Sequence, residues 1–256
     1  MQPVDNGALL TALDLPASSR VDRRVPKNLL AEQGAPTAND RRKIQDGIEE
    51  LSWVAALKPT NIGVPAFRDD VREYLEIAVL TATLRSKAKP TRLVEVIHRA
   101  IPYPVVLVTL HGGAVSLSLA HKRWSQGETG KVVIEELRYT PLLRLDAPTP
   151  QEASFLSSLA ISGLPRRDLF ALCQGWLDRM LALEVARVTG TFVLLDDHAK
   201  AVAVRDTLDK HDRLELEIAS LRARASNEKQ INRLVDLNLE IKRLEAEIAE
   251  ATRRLG

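Results

Sequence analysis

Leu234, Leu237, Ile241, Leu244, Ile248, Ala251 and Leu255 follow one another at alternating steps of three and four residues, with Glu, Lys and Arg filling the positions between them. That alternation puts the apolar side chains on one stripe of a helix, the pattern of a coiled-coil seam. A lone helix would leave the stripe in water, so the segment needs something to pack against. Upstream, Leu214, Ile218, Leu221 and Ala225 form a similar stripe, out of register with the first across Ser226–Gln230. Either two helices fold back there or one long helix changes its packing face. The expected partner-binding positions are Leu214, Ile218, Leu221, Leu234, Leu237, Ile241, Leu244, Ile248 and Leu255. Their occupant is a second copy or another protein subunit, and the competing reading is a hairpin that packs on its own body.

The 256 residues suffice for one large domain or a body with an appendage. Hydrophobic residues make up 45%, which places the chain among folded proteins. Its single cysteine, Cys173, excludes an internal disulfide and fits a cytoplasmic setting. The start Met1-Gln2-Pro3-Val4-Asp5 is not a secretory signal, and the apolar run Tyr103–Leu110 is too short to cross a bilayer. A formal net charge of +2 gives no global field toward nucleic acid, so any DNA contact must come from local patches.

A short helix is expected over Asn6–Leu13 and a second one opened by Pro26. After breaks at Gly34 and Pro36, Thr37 with Asp40 three residues on predicts an N-cap. Alternation at Leu51, Trp53, Ala55 and Leu57 predicts a half-buried strand, and Val71–Leu84 a second. Pro90 starts a helix with its apolar face at Leu93, Val96, Ile97 and Ala100. Val105–Leu110 and Val115–Ala120 read as strands joined by a glycine turn at His111-Gly112-Gly113, with another strand at Val132–Leu137. Further on, Gln151–Ile161 reads as a helix. Pro165 opens a stronger one, with a buried stripe at Leu169, Cys173, Trp176, Met180 and Leu183, ended by Gly190. The fold class is therefore α+β: a mainly antiparallel sheet with packed helices and no long parallel crossover, then a helical region and a C-terminal coiled coil. The expected domains are 1–145, 146–198 and 199–256.

Chemistry is sparsely signalled. No two of His98, His111, His121, His198 and His211 have a metal-ligand spacing, so neither a metal nor a cofactor is expected. Gly127-Glu128-Thr129-Gly130-Lys131 lacks the spacing of a phosphate loop and reads as a turn. No Gly-x-Ser-x-Gly elbow is present, and Cys173 lies in an apolar helical pattern that suits a buried, inert thiol. The alternative to a binding protein is a divergent metal-dependent nuclease assembled from acids such as Asp69, Asp70 and Glu76. Cationic clusters are better represented. Arg20, Arg23, Arg24 and Lys27 form one, and Arg41, Arg42 and Lys43 another. His121, Lys122, Arg123 and Trp124 form a third, a cation beside an indole that suits a nucleic-acid strand.

Several strings carry a resemblance. They are Arg20-Val21-Asp22-Arg23-Arg24-Val25-Pro26-Lys27, Asp46-Gly47-Ile48-Glu49-Glu50 with Trp53, Ala56-Leu57-Lys58-Pro59 and Ile62-Gly63-Val64-Pro65. To these are added Glu73-Tyr74-Leu75-Glu76-Ile77, Ile97-His98-Arg99-Ala100-Ile101-Pro102-Tyr103-Pro104 and Leu117-Ser118-Leu119-Ala120-His121-Lys122-Arg123. Asn238-Leu239-Glu240-Ile241-Lys242-Arg243-Leu244 completes the set. With them the chain resembles, over nearly its whole length, a bacterial family catalogued as domain of unknown function 4391, which supplies no catalytic residues to carry over. The resemblance implies a companion of helicases and DNA methyltransferases in prokaryotic defence loci. The expectation is a non-enzymatic accessory subunit of an anti-phage, restriction-like assembly, docked through its coiled coil and contacting DNA through its basic N-terminal region.

Overall fold

Two glycines in left-handed conformation, Gly112 (φ 60°) and Gly113 (φ 80°), reverse the chain between strands β6 (Val105–His111) and β7 (Ala114–Trp124). That is the two-residue turn whose twist suits a hairpin. Around it the computed structural model, which describes residues 7–34, 37–128, 130–195 and 198–256, builds a mixed sheet. Its other strands are β1 (Arg20–Arg24), β2 (Ile48–Leu57), β5 (Ile77–Leu84) and β8 (Val132–Tyr139), and the spatial order is β1-β2-β5-β6-β7-β8. Strands β3 (Phe67–Arg68) and β4 (Glu73–Tyr74) pair separately as a small hairpin. The expected residues Met1–Asp5, Asn6, Pro36 and Thr129 lie outside the described residues.

The class is α+β, with one correction to the sheet. β5 and β6 run parallel, joined through helix α5 (Pro90–Ala100), while the other ladders are antiparallel. The crossover is held by the α5 stripe, because Leu93, Val96 and Ile97 are buried in one cluster with Leu80 and Ala82 of β5 and Leu107 of β6. The strand expected over Val71–Leu84 is also two pieces. Asp69 accepts hydrogen bonds from the amides of Val71 (2.8 Å) and Arg72 (2.5 Å), which turns the chain before β4. β1 was not foreseen, since a charged edge strand shows no apolar alternation.

Helices α1 (Gly7–Ala12), α2 (Lys27–Gly34), α3 (Ala38–Gly47), α4 (Pro59–Ile62) and α6 (Pro150–Ser158) complete the first part of the chain. At α3 the expected cap is present. Thr37 Oγ1 accepts the Asp40 amide at 3.1 Å and donates to Asp40 Oδ2 at 2.8 Å. Helix α7 (Leu169–Thr189) starts four residues after Pro165, and Gly190 (φ 83°) follows its end. Its expected stripe is fully buried, and so are Leu172, Leu177 and Leu181, so the apolar face is wider than the stripe.

The chain divides into two compact units, Met1–Met180 and Leu181–Gly256. That division differs from boundaries after residues 145 and 198, because α6 and the first half of α7 cluster with the sheet. Trp176 Nε1, for example, donates to Leu159 O at 3.0 Å. In the second unit, helices α8 (His198–Asn227) and α9 (Ile231–Leu255) are antiparallel, and the chain folds back across Glu228–Gln230. Glu228 accepts the amides of Lys229 (2.8 Å) and Gln230 (2.9 Å), placing a carboxylate at the positive end of α9. Among the described residues no helix is long and apolar enough to cross a membrane.

Candidate nucleic-acid interface

The first two basic clusters lie largely at the surface, and Lys27 of the first reaches the C-terminal end of α3, the helix that carries the second. On edge strand β1, Arg20, Arg23 and Arg24 are exposed. Asp22 (φ 45°) bulges the strand between them, and Arg20 pairs with it at 3.7 Å. From this edge the chain passes to Lys27, whose ammonium donates to Gln45 O (3.2 Å) and Ile48 O (2.9 Å). Arg85, just after β5, donates to Gln45 O (3.0 Å) and Asp46 O (3.1 Å). Two cations thus satisfy carbonyls that a helix end leaves without partners. The loop after Arg85 lies against the same point. A Cβ on Gly47 would come 3.4 Å from Ala88 Cβ and 2.7 Å from Leu93 Cδ1, so a larger residue there would push the Leu93 side chain aside.

Around this junction most of the remaining cations are exposed, and Lys43 is half-buried beside Asp40. Arg42 pairs with Asp46 at 3.5 Å on the exposed side of α3. Arg23, Arg24, Arg41, Lys43, Lys87 and Lys89 have no hydrogen-bond or ion-pair partner among the described residues. Glu49 and Glu50 are the exposed acids at the start of β2. Lys87 and Lys89 were missed by sequence reasoning, although Arg85-Ser86-Lys87-Ala88-Lys89 between a strand and Pro90 is a visible cationic run. Beneath them α3 is pinned to α5. Arg92 grips Asp40 with Nε on Oδ1 (2.8 Å) and a terminal nitrogen on Oδ2 (2.7 Å), and these bonds hold the Asp40 carboxyl well below the usual carboxylate range.

The third cluster is corrected. His121 and Lys122 are buried, because β7 continues through Trp124 and its successive side chains turn to opposite covered faces. Lys122 Nζ donates to His98 O (2.7 Å), Tyr103 O (2.6 Å) and Ile101 O, closing the C-terminal end of α5. Burial pulls this ammonium down to about 7. Arg123 and Trp124 are half-buried, and Arg123 donates to the Trp124 carbonyl at 3.2 Å.

On the other face His121 joins a buried polar chain. Its Nδ1 lies 2.6 Å from the Tyr74 hydroxyl and its Nε2 2.9 Å from Gln174 Oε1, while Gln174 donates to Asp178 at 2.7 Å. Phe170 stacks on Phe67 at a centroid distance of 5.0 Å, with the Arg72 guanidinium 5.3 Å over its ring. Arg72 also makes a two-pronged pair with Glu135 at 2.8 and 2.6 Å. These contacts clamp the β3–β4 hairpin. Burial pushes the Tyr74 hydroxyl and Cys173 thiol up, lowers His121, and pulls His98 down to about 3, so none is poised as an exposed acid, base or nucleophile.

The acids proposed for a nuclease are not gathered. Asp69 caps its turn, Glu76 pairs with Lys58 at 3.2 Å, and Asp70 is exposed. Among the described residues, the group that brings three metal-ligating side chains within 4.8 Å is His211, Asp212 and Glu215 on α8. His211 is buried with Nδ1 3.3 Å from Asp212 Oδ1, and the two acids are solvated. The spacing rules for paired His or Cys pass over it, since it mixes one His with acids one and four residues on.

The seam closes within the hairpin. Leu214, Ile218 and Leu221 of α8 pack with Leu237, Ile241, Leu244 and Ile248 of α9, while Leu255 packs with Leu181, Val185, Ala201 and Leu208. Leu234 is half-buried near the reversal. These residues were expected to face a partner, and the hairpin itself supplies the cover the stripe demands. Arg222–Glu245 (2.6 Å) and Lys210–Glu247 (3.6 Å) bridge the pair.

A family model described as a domain of unknown function (DUF4391) matches residues 13–248. Among curated proteins and solved structures nothing matches.

Proposed function

The chain belongs to the family described as a domain of unknown function (DUF4391), and on that premise we propose that it is a nucleic-acid-binding accessory subunit, acting by contact rather than catalysis. The observation that carries the proposal is the set of exposed cations without protein partners on β1, on α3 and in the loop after β5. A solvated cation that no acid neutralises is available to a phosphate, and several around one rigid junction offer a multivalent backbone contact. Rigidity comes from beneath: Lys27 and Arg85 close the end of α3, and Arg92 fixes its start.

The buried polar groups support contact over chemistry. Tyr74, His121, Gln174 and Lys122 spend their hydrogen bonds on holding loops and helix ends. The setting proposed is the one the family resemblance implies, a prokaryotic DNA-targeting defence assembly with a helicase or DNA methyltransferase as neighbour.

The test is fluorescence anisotropy of a labelled duplex with the full chain, comparing wild type with Arg23→Glu/Arg24→Glu. Both positions are exposed, so the fold is retained. Two charge reversals should weaken binding by at least tenfold at low salt. Equal affinity of the two proteins sinks the assignment of this face.

A further inference from the structure

We infer that α3 is a reading helix that enters the major groove of duplex DNA, with Asn39 and Arg42 facing base edges. The inference rests on the nucleic-acid reading above and names the ligand class of the same surface. α3 buries Asp40, Ile44 and Gly47 on one side. At 100° per residue, Arg42 lies about 160° around the helix from Ile44, and Asn39 about 140° the other way. Both are exposed and point away from the body.

Arg41 and Lys43 occupy the two flanks, about 60° and 100° from Ile44 on opposite sides. The outer face thus presents Asn39 and Arg42 with the exposed carboxylate of Asp46, Arg42's ion-pair partner, between them at about 200° from Ile44. Exposed Arg41 lies on one flank and half-buried Lys43 on the other. In a major groove about 12 Å wide, central side chains meet base edges and flanking cations meet the phosphates of the two walls. Asn is suited to adenine and Arg to guanine through paired hydrogen bonds. The helix has ten residues, about 15 Å, enough to cross that groove.

The side chains are free to take this role. Asn39 has no hydrogen-bond partner among the described residues. Arg42 approaches Asp46 through Nε at 3.5 Å, a distance longer than a strong charge-assisted hydrogen bond, with both side chains mostly solvated, so the pair opens readily toward a ligand. The Asp40 clamp fixes how the helix is rotated, which keeps the outer face aimed outward. Lys87 and Lys89 at the C-terminal end of α3 extend the phosphate contact along the backbone.

The experiment uses the full chain and four probes of equal length: duplex DNA, single-stranded DNA, duplex RNA, and a randomised duplex DNA pool for selection. A helix cannot enter the deep, narrow major groove of duplex RNA. Duplex DNA should therefore bind about tenfold or more tighter than duplex RNA, and selection should enrich a short sequence. Arg42→Ala should erase that enrichment, whereas Lys87→Ala should weaken all sequences alike. Salt-dependent binding with equal affinity for duplex DNA and duplex RNA, or with preferences unchanged by Arg42→Ala, overturns the reading helix and leaves the broader proposal standing. No binding to any probe removes both.

Discussion

Lys122 Nζ carries three hydrogens, and three carbonyl oxygens receive them. Burial disfavours the charge, yet the end of α5 needs those donors, so the side chain trades solvation for a cap. Asp40 is the opposite case, a carboxylate whose charge is favoured where it sits. Arg92 and Thr37 hold its pKa well below the unfolded value of about 3.9. A depressed carboxylate contributes stability that is fully present above that unfolded value and is lost as pH falls through the folded one. Asp40→Asn should therefore be less stable than wild type at pH 7, and the two should converge as urea titrations move from pH 4 to pH 2. Stability curves that stay parallel over that range would contradict the ion pair.

At the scale of elements, the α8–α9 hairpin shows what a seam alone can specify. The three-four alternation required a packing surface and left the occupant open, because two helices of one chain and two of different chains bury the same stripe. Leu244 is buried among Leu214, Ile218, Leu221 and Ile241. Leu244→Glu places a charge there and should cost the hairpin about 3–5 kcal/mol. Circular dichroism should lose helix signal, and proteolysis should cut between residues 198 and 256 while the sheet resists. Unchanged helicity and cleavage would mean that the seam does not hold the hairpin. Elsewhere, elements were legible where a local signal fixes them: Thr37 as a cap, Pro90 at a helix start, Gly112-Gly113 as a turn. The parallel pairing of β5 with β6 was not, since β5 is buried on both faces and the choice of neighbour is made by α5 packing. β1 was hidden because its charges are those of an edge.

For the molecule as a whole, two of the three basic clusters are at the surface, and the third shows why composition misleads. His121 and Lys122 look like the surface cations of a strand end, but β7 runs on under cover of both faces. What distinguishes the clusters is whether an element carries its cations outward, as edge strand β1 and helix α3 do. The central claim is that those outward cations meet phosphates. Its most direct test is the salt dependence of duplex binding by the full chain, from 50 to 200 mM salt. Each phosphate neutralised contributes about 0.9 to the slope of log affinity against log salt. The account predicts a slope of about −3 to −6, reduced by about 1 in each of Arg24→Ala and Lys87→Ala. A slope near zero, or one untouched by both substitutions, would contradict it.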